Sequence, residues 1–419
     1  MIISIAAETS LKPKAIVLNI TKDPSTLQYI TQIHQRKPLV PVKLTLDLGG
    51  RFLWVDCRSG YDTYKTIRCR TPECSLVQTN TCENDKICFV YPDNPVPDYP
   101  LQTSLNLAQD VVSLPALIST TSNSITSVTI PKFLFACGSP YLAQGLASGV
   151  EGIAGLGRSR LGLPIQLAST FNLPRKFSLC LASSNNNGGG FVFFGQPPKL
   201  DVYKSLTYTP LLVNPVSTST GHAIEGEKSV DYFIGLKSIK VNNVAVPLNA
   251  SLLVFDSMGN GGTRLSTAKR YTVLLTPIYN AVVGEFVKAM SELKVPRVAA
   301  VGQFGACFNS TYIASTEVGP DVPVIDLVLE SVYWRLYGAN SMVQVGKDVM
   351  CLGFIDEGVV DDGNFTNRAT TSIVIGGHQL EDNLLQFDIA NNRLGFSSSL
   401  LSKSTQTTCS NIHSRLVHA

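Results

Sequence analysis

Charge is scarce in this chain. Asp, Glu, Lys and Arg make up 16% of its 419 residues, well below the roughly 25% of an ordinary soluble protein. The 34 Lys and Arg nearly cancel the 31 Asp and Glu, leaving a formal charge of +3. A nucleic-acid binder needs a basic stripe or patch, and so thin a spread argues against one. Long hydrophobic runs are missing too. The longest strictly apolar stretch, Phe133 to Cys137, falls far short of the ~20 residues a spanning helix requires. Histidine is sparse and scattered: His34, His222, His378, His413 and His418 keep no ligand spacing, and no Cys-x-x-Cys pair accompanies them. No metal site is expected on that pattern, and no cofactor. Disorder is excluded by 44% hydrophobic content without a large net charge.

Cysteine, by contrast, is plentiful. Cys57, Cys69, Cys74, Cys82, Cys88 and Cys137 come early; Cys180, Cys307, Cys351 and Cys409 are scattered over the rest. An even count at irregular spacing suits disulfides formed in an oxidising compartment better than buried free thiols, although spacing alone does not choose the pairs. Four glycosylation sequons begin at Asn19, Asn249, Asn309 and Asn364. Together these features predict a secreted glycoprotein. The opening Met1–Ala7 is too short for a signal-peptide core.

Short β-rich runs bounded by Gly, Pro, Asn and Ser dominate: Val40–Leu46, Phe52–Val55, Asp110–Leu114, Lys132–Ala136, Gly190–Phe194, Tyr232–Val241, Thr371–Ile375 and Leu385–Phe387. The strongest helical signal is Ile278–Leu293, where Ile278, Val282, Phe286 and Met290 recur every four residues between Pro277 and Pro296. Pro164–Thr170 is a shorter candidate. Many strands and few helices predict an all-β protein of two sheet-built lobes, 13–205 and 206–419. The halves echo each other. Leu44–Gly50 and Gly262–Ala268 are similarly placed, and each is followed by an apolar-Gly segment, Gly152–Gly157 and Ile373–Gly377.

Those segments resemble the pepsin-like aspartic proteases, specifically their plant branch. Asp47-Leu-Gly-Gly-Arg-Phe-Leu-Trp-Val-Asp-Cys57 resembles the first catalytic loop and its following strand. Gly149–Gly157 resembles the glycine-rich element supporting that loop. Ser372–Leu380, Gln386–Asp388 and Asn392–Phe396 resemble the closing segment. Within that fold, Thr26–Tyr29, Arg68–Thr71, Tyr232–Gly235, Phe304–Phe308 and Ile375–Asn383 are similar to the non-proteolytic plant members. These are the xyloglucan-specific endoglucanase inhibitors, the extracellular dermal glycoprotein, nectarin IV and the basic 7S globulins, with the xylanase inhibitors as more distant relatives. The resemblance runs from about Pro13 to Cys409. It implies a bilobal pepsin-like fold with a few short helices, and it pairs Cys307 with Cys351 and Cys180 with Cys409. The chain has fewer cysteines than its relatives usually carry, an apparent loss of one bridge between Cys82 and Cys88.

An aspartic protease needs two carboxylates sharing one proton, each in an Asp-Thr/Ser-Gly turn. Here the first turn reads Asp47-Leu48-Gly49, keeping the acid but not the bracing hydroxyl. The second reads Ser266-Thr267-Ala268, with serine in the acid's place. Asp47 is thus expected to lack a partner tuning its pKa, and proteolysis is not expected. Gly157–Leu161 fails the Gly-x-Ser-x-Gly elbow, and Gly259–Gly262 lacks a P-loop lysine. Asp361-Asp362 reads as a solvated turn rather than a glycosidase pair.

The resemblance implies inhibition of secreted microbial glycoside hydrolases, of xyloglucanase or xylanase type, in plant defence at the apoplast. Loops of the second half of such inhibitors place basic side chains between the hydrolase's two carboxylates, which charge-assisted hydrogen bonds favour. The matching loops here carry Glu317 and Lys403. An acid stands where arginine is usual, and a lysine offers a point charge without the guanidinium fork. The alternative partner is a small peptide, as for a storage or peptide-signal-binding protein of the basic 7S type.

Overall fold

The computed structural model describes residues 12–57, 63–77, 82–83, 86–96, 103–118, 125–184, 189–197, 199–219, 226–358, 369–402 and 405–418. Strand Val40–Asp47 shows how the first half forms. Val42, Leu44 and Leu46 alternate inward, and the strand then dives so that Thr45 and Asp47 are buried as well. Its neighbour Tyr29–Gln35 pairs in turn with a long hairpin, Leu105–Leu117 against Ile125–Gly138, which has a bulge between Asp110 and Val112. Such a bulge adds local twist and bends the sheet.

The echo between the halves is structural. Strand Val40–Asp47 runs parallel to Gly152–Gly155, with Asp47 opposite Gly155. In the second half Thr263–Leu265 runs parallel to Ile373–Ile375, with Leu265 opposite Ile375. Trp54–Asp56 runs parallel to the end of Ile125–Gly138, and Thr272–Leu274 runs parallel to Phe354–Asp356 in the same way. Each half therefore drives one loop, after Leu46 and after Leu265, towards the middle of the molecule.

The halves meet in one continuous sheet. Lys176–Cys180 pairs with Leu384–Asp388, and Thr207–Leu212 with Arg393–Phe396. Over this floor Phe177 stacks on Phe387 with ring centroids 4.6 Å apart, and Tyr232 packs on Phe387 at the same distance. The apolar core runs without interruption through both halves.

Several elements differ from the sequence reading. The run Tyr232–Val241 is two strands, Phe233–Ile234 beside Thr263–Leu265 and Ser238–Val241 in a separate four-stranded sheet. Pro277 lies inside the first turn of helix Thr276–Glu292 rather than before it, where its missing N–H costs nothing. A C-terminal helix, Cys409–His418, closes the chain where the sequence reading has no helix. Its sequence offers few apolar positions, but Ile412 and Leu416 bury against Ala15, Val17, Phe191 and Phe193 of the first half.

All ten cysteines are paired: Cys57–Cys137, Cys69–Cys82, Cys74–Cys88, Cys180–Cys409 and Cys307–Cys351. The two pairs implied by resemblance are both present. Among the described residues no helix is long and apolar enough to cross a membrane.

Candidate functional site

Asp47 ends its strand with the carboxyl buried, 4% exposed. Gly49 donates its N–H to Asp47 Oδ1 at 3.0 Å, and Leu156 N–H reaches the Asp47 carbonyl at 2.8 Å. The glycine-rich segment supports the turn as its sequence suggests. A side chain on Gly155 would press into the Gly50 and Phe52 carbonyls, about 2.5–2.6 Å from a Cβ, so glycine is required for this close approach.

The bracing between the two turns is one-sided. Thr267 Oγ1 accepts the Leu48 N–H at 2.9 Å and donates to the Leu46 carbonyl at 2.8 Å. Leu48 is fully buried and has no hydroxyl with which to reciprocate. Ser266, in the position equivalent to Asp47, is also buried, and its Oγ accepts the Lys269 N–H at 3.2 Å. Its own N–H is spent on the Ile375 carbonyl at 2.9 Å. The second turn thus has the expected backbone but a neutral side chain.

Asp47 is not without an acidic neighbour, which corrects the sequence reading. Asp231 approaches Gly49 so closely that a methyl there would collide with its carboxylate. Burial, and next the charge of Asp231, push the Asp47 carboxyl up to about 7. Asp231 itself is well supplied with donors: Oδ2 accepts Thr218 Oγ1 at 2.5 Å, Ser229 Oγ at 3.3 Å and Arg264 Nη1 at 3.3 Å. It enters from the residue before Tyr232, not from the second turn. Nothing in the local sequence signals the contact, because only the tertiary crossing of this segment creates it.

That crossing also brings residues of the second half onto the loop that carries Asp47. Arg158 donates its N–H to the Val230 carbonyl at 3.0 Å, sends Nη2 to the Leu212 carbonyl at 2.8 Å, and lies 5.0 Å over the Tyr232 ring. The Tyr232 hydroxyl bonds the Leu156 carbonyl at 2.8 Å. Arg51 reaches Glu227 at 3.0 Å, Ser217 Oγ at 2.9 Å and Asp93 at 3.4 Å, and Ser219 Oγ donates to Asp93 at 2.5 Å. The cavity lined by Arg51, Phe52, Leu161, Glu227 and Val230 holds about 40 Å³, against ~300–1,000 Å³ for a small-molecule site. Segments of the second half, 214–219 and 226–232, thereby pack onto the first half's catalytic-type loop.

The other candidate residues lie apart from this centre. Glu317 is exposed in the turn joining Ser315–Thr316 to Gly319–Pro320. Lys403 and Asn364 lie outside the described residues. Among the described residues that follow Lys403, Thr405 Oγ1 donates to the Leu400 carbonyl at 2.7 Å, Thr407 N–H to the same carbonyl at 2.9 Å, and Cys409 N–H to Asp382 at 3.0 Å. Asn19 is exposed on strand Ala15–Lys22 with Oδ1 2.8 Å from His413 Nε2. Asn249 and Asn309 each cap a short turn, accepting the N–H and hydroxyl of the residue two further on.

Comparison with known proteins agrees with this geometry. Residues 29–196 match the family model described as xylanase inhibitor N-terminal, and residues 231–398 the one described as xylanase inhibitor C-terminal. The probable aspartic proteinase GIP2 of Nicotiana benthamiana is 50% identical, over 97% of this chain and 93% of the relative. The solved structure of edgp superposes with a TM-score of 0.87 at 48% identity, covering 96% of this chain and 99% of that one. Basic 7S globulin from soybean superposes with a TM-score of 0.76 at 30% identity, covering 95% and 98%. The architecture is the pepsin-like aspartic proteinase fold.

Proposed function

This chain belongs to the xylanase-inhibitor family of pepsin-like proteins, and we propose that it is a catalytically inactive relative of the aspartic proteases. It acts by binding and inhibiting secreted microbial glycoside hydrolases of xyloglucanase or xylanase type. The observation that carries the loss of catalysis is Ser266, buried at the position equivalent to Asp47. A serine hydroxyl cannot share a proton with a carboxylate as a second acid does. Asp231 does not occupy that position: it reaches the site from the residue before Tyr232, and its Oδ2 accepts Thr218, Ser229 and Arg264. The packed cavity beside Arg51 supports the same reading.

A rigid two-lobed body that presents loops is suited to binding. Glu317 and Lys403 are the residues we assign to the inhibitory loops. Five disulfides with no unpaired cysteine suit an extracellular, apoplastic setting, and Asn19, Asn249, Asn309 and Asn364 are the glycosylation sites proposed for it.

The test is a panel of microbial xyloglucanases and xylanases titrated with the protein. Saturable inhibition of at least one is expected. Lys403→Ala should then weaken inhibition at least tenfold, equivalent to ~1.4 kcal/mol, and Lys403→Glu should weaken it further by repulsion from the hydrolase carboxylates. If both variants inhibit as well as the parent, the loop is ordinary surface. Peptide binding without any inhibition would support a storage or peptide-signal-binding protein instead, the reading favoured by the likeness to basic 7S globulin.

A further inference from the structure

A separate concave site, sharing no lining residue with the cavity beside Arg51, lies in the C-terminal half. Strand Tyr333–Leu336 is the last strand of its four-stranded sheet. Such an edge leaves backbone N–H and C=O groups unpaired by neighbours. Facing it is a serine-rich turn that follows strand Arg393–Phe396. Between them lies a cavity of about 430 Å³ lined by Tyr333, Arg335, Tyr337, Ser398, Ser399 and Ser402 among others. That volume is within the ~300–1,000 Å³ of small-molecule sites.

The lining is preorganised. Arg335 is held by a two-point contact to Asp326, at 2.7 and 2.8 Å, and its guanidinium lies 5.2 Å from the Tyr333 ring centre. This fixes one face of Tyr333 while the side chain remains 55% exposed. Ser398 accepts the outward-facing Arg335 N–H at 3.3 Å. It does so from a left-handed backbone, φ +61°, a conformation that a non-glycine residue keeps only where its surroundings hold it.

The chemistry of this lining selects its ligand. Among the described residues Arg335 is the charged side chain of the lining, and it is already paired with Asp326, so an anion gains no free cation from them. An added peptide strand is disfavoured, because Ser398 occupies the Arg335 N–H that such a strand would need. What remains is an exposed aromatic face beside many neutral hydroxyls, open backbone groups and a fixed planar ion pair. We propose that this pocket binds a neutral oligosaccharide. The C–H face of one pyranose would rest on Tyr333, and its hydroxyls would exchange hydrogen bonds with Thr207, Ser331 and Ser398, which line the same cavity. The site is distinct from the Asp47 centre and does not depend on hydrolase inhibition.

The test is isothermal calorimetry of the intact protein with cellotetraose, xylotetraose and xyloglucan heptasaccharide, with trigalacturonate as the acidic control. Saturable binding of at least one neutral oligosaccharide is expected, weakened at least tenfold in Tyr333→Ala. Ser398→Gly keeps the backbone conformation but removes a hydroxyl, and should weaken binding several-fold. That variant decides the matter alone if Tyr333→Ala does not fold. No binding of any neutral oligosaccharide, binding undiminished by both variants, or preference for trigalacturonate would overturn the assignment. Unchanged hydrolase inhibition by the same variants would show that the two activities stand or fall separately.

Discussion

Above neutral pH, Asp47 sets a second negative charge beside Asp231 in a buried site. The unfolded chain releases this proton near the ordinary 3.8, whereas the folded protein holds it to about 7. Between those values the native state binds more protons, so its stability falls as pH rises through the window, by roughly 4 kcal/mol at most. Asp47→Asn should therefore change little at pH 4 and stabilise by a few kcal/mol at pH 8, read by denaturant unfolding at both. An equal gain at both pH values would contradict the assignment. Thr267 offers a second test. Thr267→Val removes the acceptor for the buried Leu48 N–H and should cost ~1–3 kcal/mol, seen as a lower denaturation midpoint. At this scale the sequence made Asp47 and Ser266 legible, because each sits in a fixed turn pattern. Asp231 and Arg51 were not legible, since their partners are brought near only by the crossing of the 214–219 and 226–232 segments.

Among the elements, the amphipathic helix Thr276–Glu292 was readable because its own spacing encodes its buried face. The C-terminal helix Cys409–His418 was not, since its stability comes from outside itself. Two apolar side chains dock on the first half and the Cys180–Cys409 bridge closes a separation of 229 residues. The chain-entropy model gives such a closure about 5 kcal/mol. Cys180→Ser with Cys409→Ser should lower the melting temperature and raise hydrogen exchange selectively over 409–418. Uniform exchange changes across both halves would show that the helix is not the element anchored. The run Tyr232–Val241 failed for a related reason. Its residues all have strand character, and only the existence of two separate sheets decides that Gly235 and its neighbours break it.

The whole molecule repeats one design twice: a parallel strand pair that delivers a loop to the centre, once with Asp47 and once with Ser266. This duplication was visible in the sequence as recurrent Gly-containing segments, and the bilobal fold with it. The packing of 214–219 and 226–232 onto the Asp47 loop was not, because it depends on the tertiary crossing of these segments. Restoring one acid does not undo that packing. Ser266→Asp should release no peptides from a denatured substrate at acid pH, as Leu48, Ala268 and the Arg51–Glu227 contact all remain. Pepstatin-sensitive cleavage by that variant would mean that the cleft opens after all.

The proposed role, a protease scaffold with an idle acid serving as an inhibitor, separates the body that binds from the acid that once reacted. The most direct measurement titrates a susceptible xyloglucanase or xylanase with the parent protein and with Asp47→Asn side by side at pH 5. Saturable inhibition with indistinguishable curves is expected. No inhibition by the parent, or inhibition lost when only the Asp47 carboxyl is removed, would contradict it.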